Sequence, residues 1–385
     1  MKTAPFAALS GSAAVLLGLA AASGVRLAPS RRRLGDSWRR LEVEPRGSTS
    51  LGISFRPLQA EAFGLDTWTT LDALLSLPFE TLRLAAYWNR IELEPGGFVT
   101  DELDRQVEGA ERAGKKVVLC LGAVKAFGYP EFFVPSHHLN APLPEGSIVS
   151  GSSHPRLVDA ATSFVTRIVR RYRDRGCVVA WQVEHEAVDP LGMEHSWRLG
   201  LDFVSAEVAA VREADPSRPI VMNGFLPTTP VVGLQQWWRT RDQGDSLVAA
   251  ERLADVVGID YYPRHAVAGR KGWGLYVNGS RRRWPAAASR AAAKAAAGRG
   301  RLMISEGQAE PWESVTVPPS AAGWGSYSCM PEHLIGNYNR CISWARGTGA
   351  DLWAYLFWGA EYWILRRRQG DPSYIEAFSR VLNRS

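Results

Sequence analysis

Eight short, nearly continuous apolar runs recur along this 385-residue chain, and segments of helical spacing stand between most of them. The runs are Leu51–Phe55, Thr81–Tyr87, Lys116–Gly122, Val178–Glu186, Pro219–Asn223, Val256–Tyr262, Arg301–Glu306 and Asp351–Trp358. A strand that is apolar on both faces belongs in a sheet covered on both sides, where parallel strands are joined by crossover helices. Helices are predicted over Thr67–Leu75, Asp101–Ala113, Leu157–Tyr172, Leu199–Ala214, Val232–Arg241, Pro285–Ala297, Leu334–Arg346 and Pro372–Leu382. In Asp101–Ala113, for example, Leu103, Val107 and Ala110 share one face, and Gly114 ends the helix. This alternation predicts an α/β chain folded as a (β/α)8 TIM barrel with enlarged βα loops. A doubly wound open sheet is the alternative. Such a sheet more often carries a glycine-rich phosphate turn after its first strand, and residues 51–66 hold none.

Two of the runs end in a carboxylate. Glu186 closes the fourth and Glu306 the seventh. A charge at the lip of an apolar strand is costly unless it has a partner or a task. In a barrel the strand C-termini converge on one mouth, so these two acids face each other across it. A pair of carboxylates on either side of one site is the minimum apparatus for cleaving a glycosidic bond, one acting as acid and then base, the other as nucleophile or activator of water. Taken singly, either glutamate is as readily an ion-paired strand end.

Other residues gather at the same predicted mouth. Arg83 lies inside the second strand, where a buried guanidinium needs an anion; orienting a catalytic carboxylate is one role, and a structural pair with Glu92 or Asp101 the other. Tyr262, after the sixth strand, is placed to donate to the nucleophile. Trp358, at the end of the eighth strand, and Trp88, after the second, offer flat faces to a sugar ring or simply pack. His185 precedes Glu186 and either contacts a sugar hydroxyl or supports the acid from behind. Asn223 ends the fifth run and is a candidate substrate contact. The adjacent His137 and His138 have no third ligand in any metal-binding sequence pattern, so no metal site is predicted.

The segment Trp181-Gln182-Val183-Glu184-His185-Glu186 resembles the Trp-Gln-x-Asp/Glu-Asn-Glu motif of family 42 β-galactosidases, within the clan A glycoside hydrolase barrels. Tyr87-Trp88-Asn89-Arg90-Ile91-Glu92-Leu93-Glu94-Pro95-Gly96-Gly97-Phe98, followed by Leu103-Asp104, is similar to that family's second-strand segment. The likeness spans about Leu51 to Trp363. It implies Glu186 as acid/base, Glu306 as nucleophile, Arg83 as the partner of Glu306, a retaining mechanism and no cofactor. The chain departs from the pattern at His185, where the clan usually has asparagine; family 26 mannanases of the same clan also carry His-Glu. The expectation is a retaining glycosidase acting on a carbohydrate, with a catalytically silent carbohydrate-binding barrel or a transglycosylase as alternatives.

The net charge of +6 comes largely from Arg31, Arg32, Arg33, Arg39 and Arg40 and from the arginine clusters at 281–283 and 366–368. No zinc finger or RNP signature accompanies them, so nucleic acid is not an expected partner. Cys120, Cys177, Cys329 and Cys341 match no metal spacing. Residues 1–23 form a weakly apolar leader behind Lys2, read as a signal peptide or membrane anchor, which implies a secreted or membrane-anchored protein. Residues 24–48 are polar and arginine-rich and read as a linker, leaving 49–385 as the barrel.

Overall fold

The computed structural model describes residues 24–128, 131–190, 196–270, 272–279, 300–311 and 321–385, together with 288–289 and 292–293. Its centre is a closed barrel of strands β1 (Ser50–Ser54), β2 (Thr81–Ala85), β3 (Lys116–Cys120), β4 (Val178–Gln182), β5 (Ile220–Phe225), β6 (Val256–Tyr261), β7 (Arg301–Gln308) and β8 (Leu352–Trp358). Each strand pairs in parallel with its chain neighbours, and β8 closes on β1. This is the TIM barrel.

Alternation along the strands sorts the side chains. Leu82, Leu84, Trp181, Met222, Ile259, Tyr355 and Phe357 point outward and pack with the helices into the main core. Val118, Ala180, Val221, Val256, Met303, Ala354 and Leu356 form a separate cluster inside the barrel. Toward the strand C-termini, the same inward parity places Arg83, Gln182, Asn223, Asp260 and Trp358. The barrel therefore has an apolar floor and a polar upper storey. Gly258 keeps that storey closed: a Cβ there would meet Ser305 Oγ at 2.7 Å and Asn223 Cβ at 2.8 Å.

The helices largely follow the sequence pattern. Thr67–Leu75 is capped by Asp66, whose carboxylate accepts from Thr69 N at 2.8 Å. Pro331–Thr348 starts three residues before the apolar pattern, because Pro331 suits the first turn, and Gly349 ends it at φ 68°. After β5 the chain makes two helices, Pro230–Thr240 and Ser246–Leu253, the second capped by Asp245. Most of the helix expected at Pro285–Ala297 lies outside the described residues.

Two regions differ from their sequence reading. The segment read as a loop after the sixth strand contains a hairpin, Arg264–Arg270 with Trp273–Asn278. The segment read as a linker also holds structure. Val25–Pro29 adds a third strand to that hairpin, Arg31–Arg33 pairs with Trp324–Ser326, and Trp38 is buried. Backbone pairing and one large aromatic residue order a stretch whose composition looks solvated. The expected leader lies outside the described residues; among those described, no helix is long and apolar enough to cross a membrane. The four cysteines are free thiols.

Candidate active site

Glu306 is set by a β-bulge. Ile259 pairs with Ile304 and Asp260 with Glu306, so Ser305 is the extra residue in β7. The bulge lets consecutive side chains both turn inward: Ser305 Oγ donates to Asp260 Oδ1 at 2.6 Å, while Glu306 meets Arg83. The strand runs on to Gln308 instead of stopping at the carboxylate.

Both oxygens of Glu306 are held. Arg83 Nη1 donates to Oε1 at 2.7 Å and the Tyr262 hydroxyl donates to Oε2 at 2.5 Å. Arg83 is itself fixed by Gln182 Oε1 at 2.7 Å from its Nε, with its guanidinium 4.1 Å from the centre of the Phe127 ring. Burial pushes Glu306 above the usual carboxylate range, and Arg83 and Tyr262 pull against that rise.

Glu186 is set differently. β4 ends at Gln182, four residues earlier than the apolar run suggests, and Glu184 and Glu186 adopt left-handed backbone at φ 56° and 43°. Two left-handed non-glycine residues so close together are strained and persist only where the surroundings hold them. Glu184 is anchored by the amides of Val124 and Lys125 at 3.0 and 2.5 Å. Lys125 Nζ donates to the carbonyl oxygens of Glu186 and Asp189. The Glu186 side chain keeps partial exposure, whereas Glu306 is almost wholly buried. Desolvation, then the charges of Asp260 and Asp189, push Glu186 well above the ordinary range, opposed by Lys125.

His185 is buried beneath these acids. Its Nδ1 lies 2.9 Å from Asn223 Nδ2, 3.4 Å from Arg83 Nη2 and 3.6 Å from Glu306 Oε1. Arginine only donates, so Nδ1 is an acceptor and the proton sits on Nε2. Burial and the charges of Arg83 and Lys125 hold the imidazole well below its usual pKa, so it is neutral. Asn223 spends its amide within the protein: Nδ2 also donates to Asp260 Oδ2 at 2.6 Å, and Oδ1 accepts from Gln182 Nε2 at 3.0 Å. It braces the site and leaves no amide group open to substrate.

Two aromatic candidates part company here. Trp358 stays half-buried at the end of β8, with Phe127 edge-on and the Arg56 guanidinium 4.3 Å from its ring centre. Trp88 is fully buried, stacked on Phe164 and packed against the tilted ring of His138, and its indole donates to Glu92 Oε2 at 2.7 Å. A sugar has no access to it, so the stacking role read from its position is replaced by packing.

Sequence reasoning missed three members of the constellation. Asp260 is fully buried between Asn223, Ser305 and the two glutamates, and burial and the charge of Glu306 push it up to about 8. Its signal was parity: it stands inward on β6 as Asn223 does on β5. Lys125 lies in a loop with no pattern to mark it. Arg56 is bound by both Glu310 and Glu361, at 2.7 and 2.6 Å, in a buried triad beside Trp358. The basic residue directly after the first strand was its only trace.

Chemically, the arrangement offers one carboxylate gripped by a cation and a phenol, and one partly exposed acid whose protonated form is favoured. In sequence, neither a protein-family model nor a curated protein matches the chain. In structure it is similar to native xylanase 10B from Thermotoga maritima, with TM-score 0.53, 14% identity and coverage of 87% of this chain and 95% of that one. A GH10 xylanase of Thermobacillus composti matches at TM-score 0.50 and 14% identity, over 88% and 97% of the two chains. A GH10 endoxylanase from a sugarcane soil metagenome matches at 0.50 and 15%, over 87% and 97%. At such identities the likeness establishes the barrel fold. None of the three is a family 42 enzyme, so that finer resemblance rests on the sequence segments at 87–104 and 181–186 alone.

Proposed function

We propose that this protein is a retaining glycoside hydrolase of the clan A type. The observation that carries the reading is the contrast between its two mouth carboxylates. Glu306 is held on both oxygens by Arg83 and Tyr262, which favours an ionised, oriented nucleophile. Glu186 is pushed up by burial and by Asp260 and Asp189, which favours an acid that keeps its proton to higher pH than an ordinary glutamate. Environments that separate the roles of two acids are the usual basis of acid/base assignment. In the first step Glu306 attacks the anomeric carbon and Glu186 protonates the departing oxygen. In the second, Glu186 takes a proton from water as that water displaces Glu306 from the sugar. Trp358 is the proposed stacking face. His185, Asn223 and Asp260 are positioning residues.

The decisive experiment screens the purified protein against aryl glycosides and polysaccharides, with Glu186→Gln and Glu306→Gln beside the wild type. Glu306→Gln should abolish turnover of every substrate. Glu186→Gln should suffer least on aryl glycosides whose leaving group needs no proton. Full activity in Glu306→Gln would refute the assignment, and NMR of the first-formed anomer tests retention.

His185 favours one second reading, a carbohydrate-binding barrel without turnover. The ring is bonded to Asn223 and lies against Glu306, where the clan usually presents an asparagine to the sugar. Glycan binding by the wild type with no hydrolysis across the panel would favour it.

A further inference from the structure

The fold supplies what the sequence pattern lacked beside His137 and His138. Glu92, on the loop after β2, reaches both rings in the loop after β3. Its Oε1 lies 3.2 Å from His137 Nε2 and 3.0 Å from His138 Nε2. The three ligand atoms all lie within 4.8 Å of one another. We propose that Glu92, His137 and His138 form a divalent-cation site, suited to zinc, that fastens the second βα loop to the third.

Three features argue for a cation. Tetrahedral zinc with metal–ligand distances of about 2.0–2.1 Å sets neighbouring ligand atoms roughly 3.3 Å apart, close to both separations from Glu92 Oε1. Two imidazoles and one carboxylate are a ligand set that zinc commonly takes, leaving a fourth position for water. Both histidine side chains keep about a fifth of their surface exposed, at 21% and 23%, so that position opens toward solvent.

The surroundings orient the ligands. Trp88 Nε1 donates to Glu92 Oε2 at 2.7 Å, fixing the carboxylate so that Oε1 faces the histidines. Gly96 N also donates to Oε1, at 3.1 Å. The His138 ring lies between Trp88, at 4.7 Å between centres, and His137, at 4.5 Å. Such outer partners are what hold metal ligands in a productive orientation. One backbone bond, Asn89 N to Phe133 O at 2.8 Å, joins the same two loops nearby. A bound cation would add a further clamp. This inference stands apart from the glycosidase reading.

The test is calorimetric titration of zinc chloride into the metal-stripped full chain, with thermal melting in parallel. The wild type should bind one equivalent tightly and melt at higher temperature with zinc. Loss of an outer partner costs roughly 10–100-fold in affinity, so Trp88→Phe should weaken binding by about that much. His137→Ala and Glu92→Gln remove ligands outright and should weaken it further. Should Glu92→Gln fold poorly, His137→Ala, which leaves the Trp88–His138 packing intact, gives the same reading. Absence of zinc uptake by the wild type overturns the proposal. So does uptake that persists unchanged in His137→Ala, which would assign the metal to other groups such as His185, Asp260 and Glu306.

Discussion

Arg83 and Glu306 meet at 2.7 Å with both side chains withdrawn from solvent, joining β2 to β7 across the barrel. Neither charge is tolerable alone at that depth. Arg83→Ala leaves a carboxylate uncompensated, and breaking a buried pair in this way costs about 3–5 kcal/mol. Urea denaturation should show a loss of that size. Arg83→Lys keeps the charge but loses the fork that also reaches Gln182 Oε1. It should recover much of the stability and little of the activity. A stable, fully active Arg83→Ala protein would remove Arg83 from the site.

Tyr262→Phe isolates the second hold on Glu306. The hydroxyl donates to a carboxylate, an interaction worth about 1.5–3 kcal/mol, so kcat/KM should fall roughly 10–100-fold while the barrel stays folded. The sign of the pH effect follows from the hydroxyl's pull. Tyr262 lowers Glu306 toward its ionised form, so removing it raises Glu306. The acidic limb of the kcat/KM profile then moves to higher pH. A drop in rate with an unmoved limb would mean that Tyr262 acts on substrate and not on Glu306.

Asp260→Asn probes the acid. The charge of Asp260 helps to push Glu186 up, so a neutral residue lets Glu186 ionise more easily. The basic limb should shift to lower pH. The amide still offers one oxygen to Asn223 or Ser305, which limits the loss at the optimum to about tenfold. A basic limb that stays in place would detach Asp260 from Glu186.

The barrel was legible because burial on both faces forces apolar runs, and parallel pairing forces helices between them. Glu186 and Glu306 stood out because each interrupts such a run at its C-terminal end. Their exact settings were hidden. The bulge at Ser305 and the left-handed backbone at Glu184 and Glu186 depend on contacts with Asp260, Val124 and Lys125, which are far away in sequence. Asp260 was masked by the aromatic pair that follows it, although its inward parity matches that of Arg83. Trp88 misled for the opposite reason: position after a strand suggests the mouth, but a large ring that finds Phe164 and His138 sinks into the core. The 24–48 segment looked solvated because its strands are stabilised by backbone pairing to distant loops, which composition does not record.

Glu207 lies on the helix Leu201–Ala214, fully buried behind Glu184. Burial and the neighbouring Glu184 carboxylate push Glu207 well above its ordinary value, so the folded protein favours its neutral form. The unfolded chain has no such bias and ionises near the ordinary glutamate value of about 4.3. Below that pH both states are protonated and the folded state keeps the full contribution of the neutral group. As pH rises above it, the unfolded state releases the proton first, and stability falls until the folded-state pKa is reached. Glutamine has the same shape and no proton to lose. Glu207→Gln should therefore match the wild type at pH 4 and exceed it at pH 8, with a flatter profile between. Urea midpoints at several pH values measure this directly. A glutamine variant less stable than the wild type at pH 8 would show that Glu207 is held as an anion, with a counter-charge that burial and Glu184 do not provide.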